Sequence, residues 1–134
     1  MWRYVLFALL GAVLAGNGLH MLAAPEHWYR AVPGVPGTGP LNVHFVRDIG
    51  CAYLAAATGV ACAALRREWR VPGLSSALVF VGAHAGVHLW ERLGGHGAHG
   101  AAFVDHAGIF GPPLLLLALL VAGARRAPGV GGAR

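Results

Sequence analysis

Four apolar runs constrain this chain more than any other feature: about 4–24, 43–65, 71–92 and 101–124. Each is near the roughly 20 residues that a helix needs to cross a bilayer. The segments between them are rich in Gly, Pro and Arg. Only 11% of the 134 residues are charged and 57% are hydrophobic. A soluble domain usually carries about a quarter charged residues. The pattern predicts an all-α fold: one integral membrane domain over residues 1–134, built as a four-helix transmembrane bundle. The last ten residues, 125–134, read as a disordered basic tail.

The first run also has to be weighed as a signal peptide. Its basic region is Arg3 alone, and Leu22 stands three residues before the best cleavage position, after Ala24, where a small residue is wanted. It is therefore expected to be a retained helix. Gly11, Ala15, Gly16 and Gly18 make it slim enough for close helix contact. Gly82 and Gly86 offer a similar G-x-x-x-G spacing in the third run. Pro25 to Leu41 is too rich in Pro and Gly for one helix, and Trp28 and Tyr29 suit the headgroup level. An ordered interfacial loop with a short helix at Glu26–Ala31 is expected, either a connector or a lid. Asn42 is placed to cap the second run.

The net charge of +5 comes from arginines that fall between the runs. They form no single basic face, which argues against nucleic acid as a partner. Four spans place Arg3, Arg66, Arg67, Arg70, Arg125, Arg126 and Arg134 on one side, and Arg30 and Arg92 on the other. That bias predicts cytoplasmic termini and a multi-pass protein whose partners begin with the lipid bilayer. Cys51 and Cys62 share one run, eleven residues apart. On a helix this is about 16 Å, too far for a disulfide within one chain.

In this topology all eight histidines fall in the outer half. His44, Asp48 and Cys51 follow an i, i+4, i+7 pattern on the second run. His84, His88 and Glu91 repeat it on the third. At about 1.5 Å per residue on antiparallel helices, Asp48 and His88 come level. Ionisable groups in hydrocarbon are costly and mark functional sites by default. The candidate site is therefore His44, Asp48, His84 and His88, completed by Glu91, Asp105 or His106. Imidazole and carboxylate ligands suit a transition metal: zinc, copper, iron or manganese. Haem b between two histidines fits less well, and a proton or quinone relay is a further reading. The alternative is a non-catalytic accessory or structural subunit in which these groups form a polar packing network. No substrate or reaction follows. Other membrane subunits or further copies of the chain are the candidate protein partners.

The stretch W-Y-R-A-V-P-G-V-P-G-T-G-P-L-N-V-H-F-V-R-D-I-G-C-A-Y-L, residues 28–54, resembles a motif of small bacterial four-helix membrane proteins similar in plan to the DoxX-like group. The likeness extends loosely to H-A-G-V-H-L-W-E in the third run. It implies a bacterial inner-membrane protein. Some DoxX-like proteins are associated with quinone-linked redox systems, but none of their catalytic residues maps onto this chain.

Overall fold

The computed structural model describes residues 2–94 and 103–124, with side chains left out at 103–106 and 124. The described residues are all-helical, with no strand. Five α-helices follow in order: α1 (Trp2–Ala23), α2 (Pro25–Ala31), α3 (Val43–Leu65), α4 (Arg70–Leu93) and α5 (Phe103–Ala124). Short 3-10 turns occupy Val35–Thr38 and Arg67–Trp69. The disordered tail expected at 125–134 lies outside the described residues, as does the Gly-rich stretch 95–102.

Local chemistry explains the helix ends. The Asn42 side chain accepts a hydrogen bond from the Phe45 amide at 3.0 Å, satisfying one of the orphan donors of α3. Pro25 opens α2 and Pro72 stands in the first turn of α4, where the missing N–H has no intrahelical partner to lose. Gly34 (φ 82°) and Gly39 (φ 140°) supply the positive φ angles that turn the chain between α2 and α3.

Three stretches are long and apolar enough to cross a membrane: Trp2–Ala23, Val43–Leu65 and Arg67–Leu93. Only 28% of each spanning window is buried inside the protein. The exterior is itself apolar, exposing Leu9 and Val13 on α1, Val79 and Val87 on α4, and Leu114 on α5. Among the described residues no polar or charged residue is buried. A water-soluble fold would not leave so much large apolar surface outside.

Helix α1 packs on α3, α3 on α4, and α4 on α5. Two backbone crossings set this arrangement. A Cβ added to Gly18 would lie 2.7 Å from the Gly50 carbonyl oxygen, and one added to Gly59 would lie 2.6 Å from that of Gly73. Gly50 and Gly59 are nine residues apart, about half a turn round at 100° per residue. One therefore meets α1 and the other α4. The close approach expected of the slim α1 occurs at Gly18. The G-x-x-x-G of α4 is not used in this way: a Cβ at Gly86 would meet nothing within 4 Å, and one at Gly82 only Leu78 of its own helix. The core proper gathers Phe7, Leu10, Leu14, Val60, Leu74 and Leu116. At the far end of α5, an Arg3 guanidinium N–H donates to the Ala122 carbonyl at 3.2 Å and ties α1 to α5.

Candidate functional site

A cavity of about 410 Å³ lies among α1, α3, α4 and α5, in the half of the fold nearer the loop between α2 and α3. Its floor and walls are mostly apolar, with Leu14, Met21, Ile49 and Val81 among them. Volumes of roughly 300–1,000 Å³ with a few placed polar groups are usual for small-molecule sites.

The loop covers it. Val32, Pro33, Gly34, Val35 and Thr38 all line the cavity. The loop is held by specific bonds. Trp28 Nε1–H donates to Asn17 Oδ1 at 2.9 Å, pinning α2 to α1. The Tyr29 hydroxyl lies 2.6 Å from the Gly39 carbonyl oxygen and 3.2 Å from that of Pro36, and closes the loop on itself. Thr38 Oγ1 donates to the Val35 carbonyl at 2.8 Å. Beside it, one ring nitrogen of His20 lies 2.8 Å from one of His27, a contact that needs one ring to donate and the other to accept. The short helix expected at Glu26–Ala31 is α2, and the loop after it lines the cavity.

The polar groups stand mainly on one wall. Tyr53, Phe80, His84 and His88 form a ladder of rings across α3 and α4. Tyr53 meets Phe80 edge-on at 5.0 Å and His84 at 6.1 Å, and His84 meets His88 edge-on at 4.7 Å. Phe80 also stacks on His84, which holds that imidazole half-buried against the helices. Tyr53, His84, His88 and Glu91 all line the cavity. Pro112 and Pro113 lie inside α5, which packs on α4. Neither has an N–H, so the carbonyls of Gly108 and Ile109 lose their intrahelical donors. Gly108 and Ile109 line the cavity too.

The expected site residues divide. His84, His88 and Glu91 come together at the cavity. His44 and Asp48 come together elsewhere: His44 Nε2 is 3.3 Å from Asp48 Oδ2, and both side chains are exposed, at 88% and 59%. The four-residue convergence of His44 and Asp48 with His84 and His88 is absent. Among the described residues no group of three or more His, Cys, Asp or Glu could hold a metal ion. The side chains of Asp105 and His106 lie outside the described residues. The physical reason is the rotation of α3. Its inward face carries Val46, Gly50, Ala57 and Val60, and lies between the two crossings, Gly50 against Gly18 of α1 and Gly59 against Gly73 of α4. The opposite face, with His44, Asp48 and Cys51, is turned out.

Tyr53 and the Asn17–Trp28 pair were not singled out from the sequence as site residues. Tyr53 was concealed in an apolar run, though it stands three residues after Gly50 and so shares the inward face. Comparison with known proteins yields no relative: no family model, no curated protein and no solved structure matches the chain.

Proposed function

We propose that this protein is a four-span bundle of the bacterial inner membrane that binds a small amphipathic molecule in its outer-half cavity. The observation that carries this reading is the cavity itself, apolar in most of its lining and bearing His84 and His88 on one wall. Three helices long and apolar enough to span support the membrane setting, and α5, whose apolar stretch Ala107–Gly123 is shorter, is the helix assigned to the fourth span. The arginine bias supports cytoplasmic termini, and the resemblance of residues 28–54 to DoxX-like membrane proteins is in keeping with this plan. A ligand with an apolar body and a hydroxyl or similar polar end suits the lining. Its polar end would bond to His84, His88 or Tyr53, or to the carbonyls that Pro112 and Pro113 leave over. The site offers acid–base groups in an apolar setting, and binding is the function assigned to it.

Native mass spectrometry of the purified protein tests this. A bound species of constant mass is expected, lost in His88→Ala and retained in His44→Ala, whose side chain lies on the outer face. Equal retention in both variants would remove the cavity reading. A first-row metal found at one per chain by elemental analysis would replace it with the metal reading.

A further inference from the structure

The outer surface of α3 differs from that of every other long helix. Helices α1, α4 and α5 expose large apolar side chains in mid-span, such as Leu9 and Val13, Val79 and Val87, or Leu114 and Leu117. Between Phe45 and Leu65, both near its ends, α3 exposes none. Its exposed residues there are Arg47, Asp48, Cys51, Ala55, Thr58 and Ala61, all charged or small. Small residues let helix backbones approach in lipid, whereas large apolar ones fill lipid-facing surface. Thr58 already donates to the Leu54 carbonyl at 2.9 Å, so its hydroxyl does not oppose an apolar contact.

The charges on this face lie within the bilayer. A helix of 23 residues is about 34 Å long against a hydrocarbon core of about 30 Å. Arg47 and Asp48 stand roughly 6 and 7.5 Å below Val43. Arg47 can snorkel upward, but the short Asp48 side chain cannot reach far. Asp48 has a partner in His44, whereas adjacency on the helix turns Arg47 about 100° away from Asp48.

We infer that α3 pairs with α3 of a second copy of this chain, and that Arg47 of each copy bonds Asp48 of the other. Cys51, Ala55, Thr58 and Cys62 form one line along the helix. At 100° per residue Asp48 lies about 50° to one side of that line and Arg47 about 50° to the other. Two copies in one membrane share their orientation, so the two-fold axis runs parallel to the helices. That symmetry sets the Asp48 flank of one copy against the Arg47 flank of the second, at depths differing by about 1.5 Å. Two reciprocal ion pairs form, one on each side of a seam of small residues. Each Asp48 keeps one oxygen for His44 and offers the other to the guanidinium. A single self-complementary face satisfies charges that lipid would not.

This inference rests on the membrane reading above, and the native cysteines test both separately. In membranes containing the full chain with Cys62→Ala, oxidation with copper phenanthroline is expected to give a covalent dimer through Cys51, lost when Cys51→Ala is added. Arg47→Asp or Asp48→Arg alone sets like charges across the seam, and the dimer should fall to background. The double exchange, Arg47→Asp with Asp48→Arg, restores opposite charges and should restore it. If either single variant fails to accumulate, the double exchange against wild type still decides. A membrane-bound chain with no Cys51 dimer, one that cross-links there to a different protein, or a double exchange that does not recover would each overturn the pairing. A chain found in the soluble fraction would overturn the membrane reading itself.

Discussion

Asn17 shows how much one polar side chain can organise in a chain this apolar. It accepts from Trp28 Nε1–H, and that bond helps hold α2 against α1 beside the cavity. Its loss leaves the indole donor half-buried without its acceptor, at a cost of about 1–3 kcal/mol. Asn17→Leu should therefore loosen the cover without unfolding the helices. Limited proteolysis within Pro33–Gly39 should become faster, with helical circular dichroism unchanged. Tyr53→Phe is a finer change. It keeps the ring that meets Phe80 and His84 and removes only the hydroxyl. Bound ligand should weaken by the value of one hydrogen bond, about 0.5–1.5 kcal/mol, while the thermal midpoint stays put. An unchanged ligand affinity would place the polar end on His84, His88 or the α5 carbonyls instead.

Two glycine pairs set the angles and rotations of the helices. A methyl group at Gly18 or Gly50 meets the facing helix at 3.0 Å or less, so either helix must shift. Overpacking of this kind costs about 1–3 kcal/mol, more than the roughly 0.5–1 kcal/mol that alanine returns through helix propensity. Gly50→Ala should lower the thermal midpoint in detergent. Gly86→Ala meets nothing, and should leave the midpoint unchanged or raise it. The pair of measurements separates close contact from mere glycine content. The G-x-x-x-G spacing at Gly82 and Gly86 drew attention in the sequence because it is a known pattern, whereas Gly50 and Gly59, half a turn apart, make no single motif. They serve two different neighbours, which periodicity along one helix does not express.

At the scale of the whole molecule, the proposed topology places the cavity and its cover on the outer side. Reporter fusions after Gly37 and after Arg67 are expected to land on opposite sides of the membrane, the first outside. The same side for both would refute the orientation. If the outer leaflet supplies the ligand, the cover formed by Pro33 to Val35 is one route and a path between the helices is the other. Asn17→Leu distinguishes them, since it should speed exchange only if the cover is the gate.

Hydropathy and local chemistry alone determined the helices, the cap at Asn42, the short helix between α1 and α3 and the separation that keeps Cys51 and Cys62 from pairing within one chain. These depend on residue type and near neighbours, so a sequence holds them in full. The i, i+4 spacing also determined that His84 joins His88 and that His44 joins Asp48. What only the tertiary structure decided is the direction each pair faces. In water a polar stripe has one natural place, the outside. In a membrane protein it can face a neighbouring helix, the headgroups or another copy, and composition does not choose among them. The choice on α3 was made by backbone contacts at Gly50 and Gly59, whose close approach outweighs the pull of two polar side chains inward. That rotation turned Tyr53 toward the cavity and carried His44, Arg47 and Asp48 to the outer face.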